Sequence, residues 1–226
     1  MEINTITGPQ LQATGNRLNI LRQERSGALV TQDAHGRFQE ANLTGNMYSG
    51  GMTTTAITNA IWTTATTDAT AKPIAGVWNP TGSGYNLVIL QVKVNTIITA
   101  ATTTGYGNLM YMTSTGNGVI STGSVPFCRS TLQASGSVAK DMSGIALTGL
   151  TTALTVRDTA GLGSSNGNYS QVGTAVGFAP GNNATLVDNI DGAYIIPPGG
   201  FFGVFGTTTP VAVSAASSIL WEEILI

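Results

Sequence analysis

Charge is scarce in this 226-residue sequence, in which only 9% of the residues are Asp, Glu, Lys or Arg, against roughly 25% in an ordinary soluble domain. The low charge does not indicate disorder, because disorder combines few apolar residues with high net charge. Here 42% of the sequence is hydrophobic and the formal net charge is −2. That balance provides no basic footprint for nucleic acid. We predict a folded protein that has an uncharged polar surface and no nucleic-acid partner.

Cysteine, histidine and long hydrophobic runs are scarce as well. The single cysteine, Cys128, excludes an internal disulfide framework and is interpreted as a small buried hydrophobe. The single histidine, His35, precedes Gly36 in a predicted turn, and no third group marks it as a catalytic base. No apolar run approaches the ~20 residues that cross a bilayer. The opening Met1-Glu2-Ile3-Asn4 lacks the basic and apolar regions of a signal peptide, so neither a membrane span nor a secretory leader is predicted.

Two polar segments resemble ligand-binding motifs but lack the required spacing. Gly161–Gly167 is glycine-rich, yet it has no G-x-G-x-x-G spacing and no Lys-Ser/Thr follows it. Asp188–Gly192 offers oxygen ligands but lacks the alternating acids and the terminal Glu of a calcium loop, and we interpret it as a turn. No pair of carboxylates is marked for glycoside hydrolysis either. We therefore predict no catalytic residue, no metal site and no cofactor, and we do not interpret the protein as an enzyme.

The clearest pattern present is a strand at Tyr85–Ile98. It opens with the continuous apolar run Leu87–Leu90 and then alternates from Gln91 to Asn95. This pattern predicts a strand that begins buried on both sides and ends with one wet face, which carries Lys93. We take it as the central strand of the core.

Shorter strands and turns fill much of the remaining sequence. We predict strands at Gly36–Tyr48, Gly144–Leu150, Phe201–Phe205 and Ser217–Ile226. No alternation of strands with helices occurs, which argues against a parallel sheet. Turn signals recur between short strands, a pattern typical of sandwiches and jelly rolls. The predicted fold class is all-β, a jelly-roll-like antiparallel β-sandwich with an N-terminal arm.

The proposed arm, residues 1–26, differs in composition from the remaining sequence. It holds Arg17, Arg22 and Arg25, three of the nine cations, and its glycines and proline break any long helix. The segment is either extended or forms one short helix, and it has too few apolar residues for a core element. Because Arg is enriched at contact sites, we predict that these arginines anchor the arm on a partner, while residues 27–226 form the sandwich. A frayed terminus is the alternative.

A resemblance to a known family is carried by five short segments. They are Asp33–Ala41, Val77–Pro80, Asn86–Leu90, Ile195–Gly199 and Trp221–Glu223. Together they resemble small structural proteins of tailed bacteriophages, the capsid decoration or cement proteins. The resemblance implies a jelly-roll subunit, often trimeric or dimeric, that clamps the joints between major capsid proteins. It carries over no catalytic residue.

Two functions follow as hypotheses. The first is a virion structural protein: a homo-oligomeric cement subunit, expected to be a trimer, made in the host cytoplasm and placed on the outer capsid surface. Its low charge suits a surface covered by neighbours, and it equally suits a neutral, Thr-rich β surface that has no partner. The alternative is a tail-fibre or receptor-binding module that binds a host-surface carbohydrate through exposed aromatics such as Tyr48, Trp62 or Tyr106. A high copy number per particle would indicate cement, and a low one a fibre.

Overall fold

The computed structural model describes residues 22–23, 29–30, 38–54, 70–98, 109–116, 120, 122–134, 136–160, 163–164, 183–206 and 213–226. The chain divides into two compact units, Met1–Glu40 and Ala41–Ile226. In the first unit, β1 (Arg22–Gln23) pairs antiparallel with β2 (Leu29–Val30). The side chains of Arg17, Arg22 and Arg25 lie outside the described part, as does His35. The arm and its boundary at residue 26 therefore stay predictions.

The remaining described elements are one short helix and eleven strands. They are α1 (Gln39–Leu43), β3 (Met47–Thr54), β4 (Ala75–Trp78), β5 (Tyr85–Ile98), β6 (Leu109–Ser114), β7 (Phe127–Cys128), β8 (Lys140–Asp141), β9 (Thr155–Ala160), β10 (Gly163–Ser164), β11 (Asn183–Ile196), β12 (Phe201–Gly206) and β13 (Val213–Leu225). Strands β10-β11-β5-β13-β3-β7 form a six-stranded sheet, and β8-β4-β12-β6-β9 form a five-stranded sheet. Every pairing is antiparallel. None of the helices in the described ranges is long and apolar enough to cross a membrane.

The connectivity is that of a jelly roll. We number the described strands of four or more residues in the second unit from one to eight in chain order. The six-stranded sheet then contains the order one-eight-three-six, and the five-stranded sheet contains two-seven-four-five. The chain thus crosses repeatedly between the sheets, and the two sheets share one hydrophobic core. The prediction of an all-β, jelly-roll-like sandwich is confirmed.

The core between the sheets is built from the inward-facing residues of both. Leu87, Ile89 and Val92 of β5 meet Phe202 of β12, and all four side chains are fully buried. Trp221 of β13 is also buried, and its ring stacks on Tyr48 with centroids 6.4 Å apart. Burial of large aromatic and branched side chains is the main stabilising contribution to such a sandwich.

A second hydrophobic core lies on the other side of the five-stranded sheet. Phe201 and Phe205 of β12 project away from the first core and are fully buried. Met142, Leu147 and Leu150, from a segment with little regular structure, pack with them. Consequently the central strands of this sheet are buried at every residue, whereas the six-stranded sheet has a solvent-accessible outer face.

The central strand has the predicted bounds but not the predicted burial. Val88 is only half-buried, because it points to the outer face of the sheet. The pairing with β13 passes from Gln91 to Ile89 without a partner for Leu90, which therefore forms a bulge. A bulge shifts the alternation by one residue, so the apolar run Leu87–Leu90 reflects this shift rather than burial on both sides. The predicted turn at Asp188–Gly192 is also wrong, since it is an irregularity within the continuous strand β11.

Two predicted strands are absent from the positions expected. Gly36–Tyr48 includes helix α1, and its strand begins only at Met47. The helix follows Phe38 at φ 67° and is followed by Gly45 at φ 78°, so left-handed residues bracket it. Gly144–Leu150 is a series of turns, because its apolar side chains cover the second core instead of joining a sheet.

Two segments of the family resemblance, Val77–Pro80 and Ile195–Gly199, meet at one end of the sandwich. The backbone N–H of Asn79 donates to Gly200 O at 2.9 Å, and Gly199 N–H donates to Asn79 O at 2.8 Å. The Asn79 side-chain amide donates to Tyr85 O at 2.7 Å and to Ile196 O at 2.9 Å. The buried amide thus joins the two loops that precede β5 and β12.

Candidate functional site

The strongest candidate site is a groove of about 460 Å³ on the outer face of the six-stranded sheet, which we call the outer groove. Strands β3, β5 and β13 form its floor, and the segment around β7 forms one wall, with Asp141 of β8 contributing from the other sheet. Its lining residues are Ser49, Gly50, Gly51, Gln91, Lys93, Ser124, Val125, Phe127, Arg129, Asp141, Ser218, Ile219 and Leu220.

Strand register determines which floor side chains face the outer groove. Leu220 pairs with Ser49 on one side and with Gln91 on the other. Ser218 pairs with Gly51 and with Lys93 in the same way. Directly paired residues project to the same face of an antiparallel sheet, so these side chains form two adjacent rows across three strands.

The wall is held by short pairings at both ends. Phe127 pairs with Ser49 across β7 and β3. Ser124 and Asp141 exchange two backbone hydrogen bonds, of 2.8 and 3.0 Å. Between these anchors, Val125 is 51% exposed and Phe127 is 56% exposed. Two apolar side chains are therefore presented to solvent beside a floor that combines polar side chains with Leu220.

Asp141 ties the two sheets together beneath the outer groove. Its carboxylate accepts from Gly51 N–H at 2.8 Å and from Ser143 N–H at 3.0 Å. A Cβ atom on Gly50 would lie 2.5 Å from Asp141 Cγ, so a glycine is required there. Burial raises the pKa of Asp141, and its hydrogen bonds with Ser143 and Gly51 oppose that rise.

Asp141→Asn is expected to lower the free energy of unfolding more at acidic pH than at neutral pH. The amide directs an N–H group at one of two backbone donors, which costs about 1–3 kcal/mol. Because the folded-state pKa of Asp141 is raised, its contribution to stability is full below the unfolded-state pKa of about 3.9 and is lost as pH rises through the folded-state value. The asparagine variant has no such dependence.

Urea unfolding of both proteins between pH 3.5 and 7.5 measures this difference. Asp158→Asn is the matched control, because Asp158 is exposed on β9. If the difference in free energy of unfolding between wild type and Asp141→Asn grows as pH rises, the folded-state pKa of Asp141 is not raised.

The electrostatic character of the outer groove is positive. Lys93 and Arg129 are both exposed. Asp141, the single carboxylate among the described lining residues, is buried and accepts hydrogen bonds from two backbone N–H groups. The hydroxyl groups of Ser49, Ser124 and Ser218 and the amide of Gln91 add neutral polar groups; we expect the groove to attract anionic groups.

Other residues singled out from the sequence lie apart from this chemistry. Cys128 is buried, as predicted, with Sγ 3.2 Å from Ser130 Oγ. The hydrogen bond with Ser130 lowers the pKa of Cys128 to about 7, against an opposing effect of burial. Asp191 is exposed at φ 53° in the β11 irregularity. Within the described ranges, no three His, Cys, Asp or Glu side chains are grouped to hold a metal ion.

Of the three aromatic residues named in the carbohydrate hypothesis, one is buried. Tyr48 is 7% exposed and packs on Trp221, so its ring is not available to stack on a sugar. Trp62 and Tyr106 lie outside the described residues. The exposed aromatic beside the outer groove is Phe127, which the sequence pattern did not single out because it lies in a two-residue strand without alternation.

Asp188 has a structural role at the opposite side of the sandwich. Tyr111 Oη donates to Asp188 Oδ2 at 2.6 Å, which links β6 of one sheet to β11 of the other. Burial, followed by this hydrogen bond, strongly raises the pKa of Tyr111. The Tyr111 ring also packs on Tyr194 and Phe202. Asp188 therefore serves as a hydrogen-bond acceptor within the fold.

Comparisons with known proteins do not place the chain in a family. No family model, curated protein or solved structure matches it.

Proposed function

We propose that this protein is a virion structural protein, a capsid decoration subunit that binds and stabilises the major capsid protein on the outer surface of the particle. The proposal includes a homo-oligomer, expected to be a trimer. The observation that supports it best is the outer face of the six-stranded sheet, which is wide and solvent-accessible and, among its described residues, consists mostly of uncharged side chains. The sequence resemblance points the same way.

The outer face combines neutral polar and apolar side chains. Its described members include Ser49, Val88, Gln91, Lys93, Asn95, Thr185, Val187, Asn189, Ile195, Ser218, Leu220 and Glu222. Of these, Lys93 and Glu222 carry charge. The Gln91 amide donates to Asn189 Oδ1 at 2.7 Å, and Thr185 Oγ1 donates to Asn95 Oδ1 at 3.2 Å.

Such a face suits repeated contact with other proteins. Depletion of charged residues is the compositional mark of an interface core. Val187 and Ile195 are 55% and 57% exposed, so this face also offers apolar area to a partner. On a symmetric shell, many such contacts act together, and no single contact needs a high affinity.

Electron microscopy of particles with and without this chain tests the proposal. We expect additional density on the outer capsid surface, repeated by the capsid symmetry, with three copies at each site. Density confined to the tail or to fibre tips would contradict the proposal and favour the receptor-binding alternative.

Deleting residues 2–26 is expected to reduce occupancy on particles to below about a tenth of wild type, because the repeated anchor is lost. The sandwich is expected to keep its melting temperature, since the arm is too poor in apolar residues to contribute to the core. Changing Arg17, Arg22 and Arg25 together to Ala is expected to cause a weaker form of the same defect, because guanidinium groups pair bidentately with carboxylates.

Quantitative gel analysis of purified particles measures this occupancy, and Arg157→Ala controls for loss of an exposed cation on the sandwich. Full occupancy by the truncated chain would show that the arm is not the anchor. Failure of the truncated chain to fold would show that residues 1–26 belong to the folded domain.

A further inference from the structure

The outer groove is long enough to hold a short extended peptide segment. Strands β5, β13, β3 and β7 are consecutive in the sheet, so Lys93 and Phe127 stand three strand spacings apart, roughly 14 Å at 4.7–4.9 Å per spacing. About four extended residues, at 3.3–3.6 Å each, span that distance. Its volume of about 460 Å³ lies within the usual range for binding pockets.

The charged groups lie at both sides of this span. Lys93 belongs to β5 and Arg129 follows β7, and both residues are exposed. The Asp141 carboxylate accepts backbone hydrogen bonds from Gly51 and Ser143 and is buried. The Asp141 carboxylate is thus bound to backbone donors, and both exposed cations can contact anionic groups of a ligand.

Apolar groups lie between and beside the cations. Leu220 is half-buried in the floor, and Phe127 and Val125 are exposed in the wall. Burying exposed apolar side chains contributes roughly 25 cal/mol per Å². A ligand that covers this groove thus gains from an apolar side chain as well as from negative charge.

We infer that the outer groove binds an extended acidic segment of a protein partner, with carboxylates facing Lys93 and Arg129 and an apolar side chain against Leu220, Val125 and Phe127. Among the described lining residues, Phe127 is the single aromatic ring, whereas Val125 and Leu220 are aliphatic. This lining favours a peptide over a carbohydrate, which would stack on aromatic rings. The inference goes beyond the proposed function and does not rest on it, because it concerns the groove alone.

The test is a titration of the ¹⁵N-labelled full chain with three synthetic peptides, followed by NMR. The first probe is acetyl-Gly-Glu-Glu-Leu-Leu-Glu-Glu-Gly-amide. In the second, every Glu is replaced by Gln, and in the third both Leu residues are replaced by Ser. We expect the first peptide to bind at least about tenfold more tightly than either of the others, and to bind more weakly as salt is raised. Its amide shifts are expected to centre on the outer groove.

Charge-reversal variants identify the groups responsible. Lys93→Glu and Arg129→Glu are each expected to weaken binding of the first peptide about tenfold, because like charges then face each other. Phe127→Ser is expected to weaken it several-fold. Arg157→Glu is the matched control, an exposed arginine on β9 of the other sheet, and is expected to bind like wild type. The NMR spectra report directly whether each variant is folded, and Lys93→Gln replaces Lys93→Glu if the latter is not.

Several results would overturn the inference. One is an absence of shifts at about 1 mM peptide, a concentration that detects even weak binding. Another is an affinity of the Gln peptide equal to that of the acidic peptide. A third is a loss of affinity in Arg157→Glu as large as that in Lys93→Glu or Arg129→Glu. Tighter binding of trigalacturonate than of the acidic peptide would also overturn it and would indicate an anionic carbohydrate site.

Discussion

Val92→Asp is expected to unfold the protein, whereas Val88→Asp, four residues earlier on the same strand, is expected to leave it folded. Val92 is fully buried between the two sheets. A buried carboxylate without a partner costs several kcal/mol, against a total stability of about 5–15 kcal/mol for a typical domain. Val88 is half-buried on the outer face, where a carboxylate can remain hydrated.

Soluble expression and thermal melting followed by circular dichroism distinguish the two variants. If the Val92→Asp protein is soluble and melts cooperatively, the placement of Val92 in the core between the sheets is wrong. A Val88→Asp protein that fails to fold would contradict the bulge at Leu90. The sequence pattern predicts burial of both valines, Val88 within the apolar run Leu87–Leu90 and Val92 within the alternating segment that follows. The pair of variants therefore tests the burial that strand register assigns to each position.

Glu223→Ala is expected to lower the free energy of unfolding by about 3–6 kcal/mol, because several buried donors lose one acceptor. Glu223 is 3% exposed. Its carboxylate accepts from Ser137 Oγ at 2.6 Å, from the N–H groups of Val138 and Ala139 at 3.3 Å each, and from Trp221 Nε1 at 3.4 Å. These bonds fasten the segment before β8 to β13.

Urea unfolding at neutral pH measures this loss. Glu223→Gln retains one acceptor oxygen and is expected to lose less stability than Glu223→Ala. Glu222→Ala is the matched control, because the neighbouring Glu222 is half-buried and lies on the outer face of the sheet instead of the core. A free energy of unfolding for Glu223→Ala within about 0.5 kcal/mol of wild type, the range for ordinary surface substitutions, would contradict the prediction. It would show that the Glu223 hydrogen bonds contribute little to stability.

Asp141, Asp188 and Glu223 show a common use of carboxylates in this low-charge protein. Asp141 and Glu223 accept from backbone N–H groups, Glu223 also accepts from a hydroxyl, and Asp188 accepts from Tyr111. Each joins elements that are distant in sequence. Hydrogen bonds to charged groups contribute about 1.5–3 kcal/mol, so a few acids connect the sheets and leave the outer face nearly neutral.

Local pattern was sufficient to predict several strands, from alternation in β5 and from short runs of apolar and aromatic residues in β12 and β13. β5 has the predicted bounds, and β12 and β13 lie close to theirs. Side-chain alternation is a property of a strand itself, so it can be read without knowledge of the partner strands. The absence of alternating helices and the recurrence of turns were likewise enough for the all-β sandwich.

Elements whose conformation depends on distant contacts were not predictable in this way. Gly144–Leu150 contains apolar residues at strand-like density, but it forms turns because Leu147 and Leu150 cover the second core. The run Leu87–Leu90 was interpreted as doubly buried, because a bulge is visible only through pairing with β11 and β13. In both cases packing against another element overrode the local pattern.

The sequence by itself determined the fold class, the central strand and the near absence of surface charge, because these depend on composition and on short-range periodicity. Only the tertiary structure determined which residues line the outer groove. Ser49, Gln91, Phe127 and Ser218 belong to four strands that are far apart along the chain, and hydrogen-bonded register brings them to one face. Register is set by the mutual burial of two sheets, a long-range effect that leaves no local trace at Phe127 or Arg129.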